Sequence, residues 1–286
     1  MPLKDILVHL DASPRCGVRL EIATRLAARH GAHLTGLYVV DLPSPDLFYG
    51  FPSAFLDLQR AEDIVGRMRA TAAEEARRME AIFAALLQRE GLSGEWRLMD
   101  GFGGETVARH GRYADLIVVG QPSPRGETDP PADLPVATLM ASGRPLLIVP
   151  FVGSFPVTGQ SVLVGWNASA EAARAVAAAL PLLAGARKVT VLSINPRRDL
   201  GVSGEGNLPA ADLATHLARH GIAAEAVHTV ADDISEGDVL LSYAADIGAD
   251  LLVCGMYGRS RAREMLFGGV SRSLLAEMTL PVFMSH

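Results

Sequence analysis

Cysteine is nearly missing from this sequence: Cys16 and Cys254 are the only two in 286 residues. Two thiols cannot staple a chain of this size, so a disulfide scaffold is excluded and a reducing, cytoplasmic setting is expected. Cys254 closes an apolar run and reads as a buried, inert thiol. Positive charge is also short, since 26 Lys and Arg against 32 Asp and Glu leave a formal charge of −6. General binding to nucleic acid or to an anionic membrane surface needs a basic face, which argues against both as partners. No run reaches the roughly 18 to 20 apolar residues of a spanning helix. The opening MPLKDILVHLD enters a strand pattern directly, so no signal peptide is expected. Aromatic residues make up only 6% of the chain, yet Phe48, Tyr49, Phe51 and Phe55 share one Pro-broken stretch. That cluster is a candidate lid or contact surface for a second chain, or a loop folded back on its own domain.

What the sequence does contain is a repeat. KDILVHLDASPRCGVRLEIATRLAARHGAHLTGLYVVD opens the chain, and QSVLVGWNASAEAARAVAAALPLLAGARKVTVLSIN begins the pattern again at Gln160. Each is a strand, a polar turn, an alanine-rich helix, a Gly-containing stop and a second strand. Ser13, with Pro14 behind it, and Ser169 are the expected helix N-caps. The ends repeat as well: ADLIVVG at Ala114 answers ADLLVCG at Ala249, and RPLLIVP at Arg144 answers LPVFM at Leu280. Alternating strands and helices with near-continuous apolar strands predict an α/β protein. The expected architecture is two repeated doubly wound, Rossmann-like domains, each a parallel sheet of about five strands flanked by helices. Their bounds are 1–150 and 160–286, with 151–159 as linker. A charged helix is predicted from about Arg60 to Glu90, with Ile64, Met68, Ala72, Met79, Ile82, Phe83 and Leu86 on its apolar side. Leu146–Val149 and Val282–Met284 can pair within the chain, giving an intramolecular pseudo-dimer that protects two edge strands.

The candidate site lies near the end. A buried strand over Leu251–Cys254 stops at Gly255, Gly258 follows, and Gly268-Gly269 opens a helical pattern through Val270, Leu274 and Leu275. Glycines leaving a parallel strand let bare amides approach a phosphate chain, and the unpaired amides of Gly269, Val270 and Ser271 would add the positive end of a helix dipole. The ordered set Gly255, two residues, Gly258, nine residues, Gly268 resembles the nucleotide loop of the universal stress protein family. That family follows the last glycine with Ser or Thr, where this chain has Gly269. Ser271, half a turn on, is the substitute hydroxyl.

The resemblance covers nearly the whole chain as a tandem member of that family and implies binding of ATP or a related adenine nucleotide in the second domain, with or without Mg²⁺. It places Asn167 where the family has an Asp touching the nucleoside, and Ile194 where backbone meets adenine. Asn167 reads equally as the residue that shapes the strand-to-helix turn. Met256 and Arg259 complete the expected nucleotide-binding set, Arg259 as the spacer cation beside Gly258, with Arg261 and Arg263 read as solvated. In the first domain prolines 122, 124, 130, 131 and 135 replace the glycines and remove amide donors, so that copy is expected to keep the fold without the phosphate site. Gly126 there reads as a turn residue.

No catalytic residue is assigned. Neither adenylation signature of related nucleotide enzymes, Ser-Gly-Gly-x-Asp-Ser or His-x-Gly-His, is present, nor a Gly-x-Ser-x-Gly elbow or Walker loop. The expectation is a stress-response protein acting through conformation or protein partners, a homodimer included. Weak ATPase activity and a nucleotide-free scaffold are the alternatives. No metal set is assigned either. His216 and His220 have metal-compatible spacing on a helix but lack a third ligand nearby in sequence. His30 and His33 flank the helix stop at Gly31 as candidate carbonyl caps. Gly101-Phe102-Gly103-Gly104 resembles half of a dinucleotide fingerprint, but no strand is expected directly before it, so it reads as a turn.

Overall fold

The computed structural model describes residues 2–41, 58–122, 133–195, 209–231, 233–256 and 274–286. The first half runs β1 (Asp5–Leu10), α1 (Cys16–His30), β2 (His33–Asp41), α2 (Leu58–Glu90), β3 (Gly94–Gly101), α3 (Gly103–Gly111), β4 (Leu116–Gly120), α4 (Leu134–Ser142) and β5 (Leu146–Val149). The second half runs β6 (Ser161–Gly165), α5 (Ala170–Leu183), β7 (Lys188–Ile194), α6 (Pro209–Arg219), β8 (Ala224–Thr229), α7 (Glu236–Asp246), β9 (Leu251–Gly255) and β10 (Val282–Ser285). The aromatic stretch Phe48–Phe55, Gly126, prolines 124, 130 and 131, and spacer arginines Arg259, Arg261 and Arg263 lie outside the described residues.

Both halves build the same doubly wound sheet, and the two sheets are one. Its order is β3-β2-β1-β4-β5-β10-β9-β6-β7-β8. Pairing is parallel within each half and antiparallel at the seam, where Val282, Phe283 and Met284 face Ile148, Leu147 and Leu146. Leu147 and Phe283 are the central pair, so the halves meet as a pseudo-dimer. Period-2 alternation of apolar residues separates two continuous cores. Ile6, Val8, Leu116, Val118, Leu147, Val162, Val164, Leu251, Val253 and Phe283 pack on one face beneath α1, α2, α5 and α6. Leu7, Ile117, Val119, Leu146, Ile148, Leu163, Leu252, Val282 and Met284 pack on the other with α3, α4 and α7.

The repeated Ala-Asp-Leu motif has a structural cause. Asp115, just before β4, accepts the amides of Lys4 and Asp5 at 2.7 and 3.2 Å. Asp250, just before β9, accepts those of Gly159, Gln160 and Ser161 at 2.6 to 3.1 Å. Each carboxylate thus satisfies the opening amides of its half's first strand. The linker is strapped down by side chains of α1 and its N-cap: Arg15 donates to the carbonyls of Pro150 and Gly153, Arg25 to Phe155 and Arg29 to Thr158.

Several local expectations change. Ser13 does not cap α1; Arg15 occupies that position without a side-chain bond, because both the amide and hydroxyl of Ser13 donate to Asp11 Oδ1. Ser169 does cap α5, accepting from the Ala172 amide at 3.1 Å. Ile82 is 45% exposed, since the buried stripe of α2 follows Ala76 and Phe83, with Met79, Leu86 and Leu87 alongside. Strand β3 does run directly into Gly101; its polar sequence GEWRLMDG hides it, because an edge strand buries little. Gly103 and Gly104 open α3, with only Phe102 between strand and helix, so the turn reading does not hold; the segment lies at the sheet margin, away from either point where strand order reverses. Gly31 closes α1 in the left-handed region with its own amide, while His33 Nδ1 lies 2.8 Å from the Ser93 hydroxyl instead of on a helix carbonyl.

Phe283 is fully buried at the seam. Truncating it as Phe283→Ala should cost about 3 to 5 kcal/mol, measured as a lower urea midpoint; an unchanged midpoint would show that the seam contributes little to stability.

Candidate functional site

In a doubly wound sheet the crevice opens beyond the carboxyl ends of the strands where strand order reverses. In the second half that point lies between β6 and β9, which pair Val162 with Leu251, Leu163 with Leu252 and Val164 with Val253. A cleft there is lined by Gly165, Trp166, Asn167, Leu192, Ile194, Glu236, Leu240, Cys254 and Gly255. Its walls are mainly apolar, and Asn167 and Glu236 supply its polar side chains. Three sequence-predicted residues, Asn167, Ile194 and Gly255, therefore meet at one cleft. Met256 does not line it: the side chain is fully buried in the core, and its amide donates to Ser285 O at 3.0 Å. Gly258, Arg259, Gly268, Gly269, Val270 and Ser271 lie outside the described residues.

Each described residue has a local cause. Asn167 Oδ1 accepts the Ser169 amide at 3.1 Å, and Ala168 between them sits at φ 57°, so Asn167 shapes the turn from β6 into α5. Its amide nitrogen stays uncommitted among the described residues. Gly255 is glycine for a packing reason: a Cβ there would collide with the backbone of Glu171 and Ala172 at the start of α5. Glu171 pairs with Arg174 at 3.2 Å. Its carboxyl is held below the usual range, chiefly by the hydrogen bond from its own amide. The Cys254 thiol is pushed up to about 12 by burial, as an inert core cysteine should be. Trp166, Leu192, Glu236 and Leu240 were not singled out from the sequence. Glu236 carried a findable signal, as the residue after the Ser235 cap of α7.

The first half builds the same crevice and fills it. Strand register equates Ile6 with Val162 and Leu116 with Leu251. Asp11 then stands where the second half has Asn167, His9 where it has Gly165, Arg19 where it has Ala175 and Gly120 where it has Gly255. Arg19 is 1% exposed. Its Nη2 lies 2.8 Å from Asp11 Oδ2, and its Nε donates to the His9 carbonyl at 2.6 Å. A Cβ on Gly120 would strike the guanidinium, which thus lies against the end of β4. Of the prolines expected to disable this copy, Pro122 and Pro135 lie within the described residues and 124, 130 and 131 outside them.

The cluster is electrostatically self-contained. Burial opposes charge on Asp11, but Arg19, His9 and the two bonds from Ser13 outweigh it and hold the carboxyl below its ordinary value. Burial likewise opposes charge on Arg19, and Asp11 more than restores it. His9 Nδ1 lies 3.7 Å from Asp11 Oδ2. Burial, with Arg19 adding to it and Asp11 only partly countering, lowers the imidazole from 6.5 to about 4.

Residues 159–286 match the universal stress protein family. Among solved structures, a universal stress protein from Archaeoglobus fulgidus DSM 4304 is 17% identical, with 98% of this chain and 97% of that chain covered at a TM-score of 0.70. A functionally unknown protein from Pseudomonas aeruginosa PAO1 is also 17% identical, with 99% and 92% covered at 0.63. At that identity the likeness is one of fold, and it extends through both halves. No curated protein matches this chain.

Two outcomes follow from the geometry. Gly255→Ala should destabilise the protein by about 1 to 3 kcal/mol through overpacking against α5, read as a drop in thermal midpoint; an undisturbed midpoint would refute the packing account. For His9, the unfolded chain takes up a proton below about 6.5 while the folded chain resists until about 4. Stability is therefore lost as pH falls between those values, by up to about 3 kcal/mol. Denaturation midpoints of wild type and His9→Asn should diverge at pH 7 to 4, with the variant the less pH-dependent. Parallel profiles would contradict the assignment. Asp11, with its depressed value, adds acid lability only below its ordinary range.

Proposed function

We propose that this chain is a tandem universal stress protein, with domains 1–150 and 160–286 joined by 151–159, that binds ATP or a related adenine nucleotide in its second domain. The observation that carries the reading is the asymmetry of two equivalent crevices: Arg19 and Asp11 fill one, while Ala175, Gly165 and Asn167 leave the other lined by apolar walls and two polar side chains. The family match over 159–286 and the Gly255, Gly258, Gly268 spacing support the same half.

In this reading the nucleoside enters between Ile194 and Leu240, with Asn167 offering its free amide donors to ribose. Gly258, Gly268 and Gly269, the helix-opening amides of Val270 and Ser271, and the Arg259 cation hold the phosphates. Asn167 has no charge to hold a metal, and no His, Cys, Asp or Glu cluster suited to one occurs among the described residues. Mg²⁺ would therefore enter on the phosphates themselves. In this reading no catalytic residue is assigned, and the protein acts by binding, relaying stress-dependent occupancy to a partner through conformation. Across the described residues no helix is long and apolar enough to cross a membrane.

Titration calorimetry of the full chain with ATP should give one site per chain, and Gly258→Val should weaken it at least tenfold while leaving the thermal midpoint of the free protein within a few degrees. Absence of binding at millimolar nucleotide would refute the reading in favour of a scaffold. Mass spectrometry of small molecules released from the native protein by heat would identify the nucleotide.

A further inference from the structure

Two helices bring their N-termini to the cleft of the second half, and a helix N-terminus ordinarily attracts an anion. Neither is left bare here. At α5 the Ala172 amide donates to Ser169 Oγ at 3.1 Å, and Glu171 stands in the first turn. At α7 the Asp238 amide donates to Ser235 Oγ at 3.2 Å, with Glu236 and Asp238 in the first turn. Each end is capped by its own serine and carries its own carboxylate, so this part of the cleft suits an uncharged group.

Of these carboxylates, Glu236 is the one that lines the cleft. Its place is fixed from two sides. Asn195, next to Ile194 and in the left-handed region at φ 45°, donates through Nδ2 to Ala231 O at 2.8 Å and accepts the Ala231 amide at 2.9 Å. That clamp ties the end of β7 to the chain leading into α7. Leu240, one turn after Glu236, lies so close to the end of β6 that a Cβ on Gly165 would come within 3.1 Å of its side chain. Asn167 stands two residues beyond Gly165, so it and Glu236 reach the same cleft from β6 and from α7. Glu171 is committed to Arg174, whereas Glu236 has no ion-pair partner among the described residues.

The two polar side chains are complementary in kind. Asn167 Oδ1 is taken by the Ser169 amide, which leaves its Nδ2 as a donor, while an ionised Glu236 can only accept. A group that meets both must accept at one atom and donate at its neighbour without carrying negative charge, and a vicinal diol does so. We infer that Glu236 is the specificity-determining residue of this cleft: it accepts a hydrogen bond from a ribose hydroxyl, selects ligands whose 2′ and 3′ hydroxyls are both free, and rejects those phosphorylated there. This rests on the nucleotide reading and deepens it. Two effects act together. A hydroxyl donating to a carboxylate makes a stronger bond than one between neutral groups, and that bond is lost with a deoxy sugar. A phosphate on the same oxygen would set two like charges side by side, which the site disfavours even where solvent screens them.

Titration calorimetry of the full chain tests this with ATP, 2′-deoxy-ATP, 3′-deoxy-ATP and ATP bearing a phosphate on its 2′ or 3′ oxygen. Wild type should bind ATP about tenfold more tightly than the weaker of the two deoxy analogues, and prefer it to the ribose-phosphorylated forms by more. Glu236→Gln keeps the size and an acceptor oxygen but removes the charge. It should bind the ribose-phosphorylated forms about fivefold more tightly than wild type does, with ATP affinity changed by less than about threefold. Glu236→Ala should lose the preference for ATP over the deoxy analogues. Glu236 is exposed, so both variants should keep a thermal midpoint close to that of wild type, and the comparison is made on folded protein. Ligand preferences that are the same in wild type and both variants overturn the inference while leaving nucleotide binding intact. So does a wild type that binds ATP no better than its deoxy or ribose-phosphorylated forms. A wild type that binds none of these ligands refutes the nucleotide reading itself, and the role of Glu236 falls with it.

Discussion

The antiparallel pairing of β5 with β10 is the constraint on which the rest of this molecule depends. Each half alone would end in a short, mainly apolar edge strand, an open template for association. Joined at Leu147 and Phe283, the two edges vanish, and both cores run unbroken through ten strands. The seam also fixes where things lie. Because strands on its two sides run in opposite directions, the carboxyl ends of the first half meet the edge from which β10 starts. That is why Gln121, just past β4, reaches the carbonyls of Leu275 and Ala276. It is equally why the two reversal points open on opposite edges of the sheet and cannot form one shared pocket.

Much of this architecture was legible because strand burial leaves a strong mark. Apolar runs such as Leu116–Val119 and Leu251–Cys254 are buried on both faces, and the repeat of Ala-Asp-Leu before each of them reflects a carboxylate that must sit where two or three amides converge. Strand β3 was illegible for the opposite reason: at the margin of the sheet, GEWRLMDG carries no apolar alternation to read. The cap of α1 was misread because a local rule, Ser before Pro, lost to a buried carboxylate. Asp11 needs donors more than the helix needs a cap, and Ser13 supplies two of them.

The site was legible to different depths. The family resemblance named Asn167 and Ile194 and the glycine pattern named Gly255, and the fold brings the three to one cleft, since topology fixes which strand ends are neighbours. The cause of each residue was not so visible. Gly255 reads in the sequence as room for a ligand, and in the fold a Cβ there would also collide with the backbone of α5. Leu192 and Leu240 were not singled out, because periodicity cannot distinguish core from cleft wall. Nothing in the linear sequence marks Arg19, one arginine among several on α1, as the residue that fills the first crevice. Only the fold brings its guanidinium against Gly120.

That plug changes how the repeat should be understood. A fold written twice offers two equivalent crevices, and leaving both as bare clefts would leave polar strand ends exposed twice over. Burying an arginine at one of them is tolerable only because Asp11, the His9 carbonyl and Ser13 together satisfy the group, whereas an unpaired guanidinium there would be prohibitive. The cluster is thus all or nothing: Arg19, Asp11 and their donors must be present together, and the second half, with Ala175, Asn167 and Gly165, has none of the charged members. At that reversal point Arg19 and Asp11 pair with one another. What the first half contributes across the seam is a contact, the Gln121 side-chain amide donating to the carbonyls of Leu275 and Ala276.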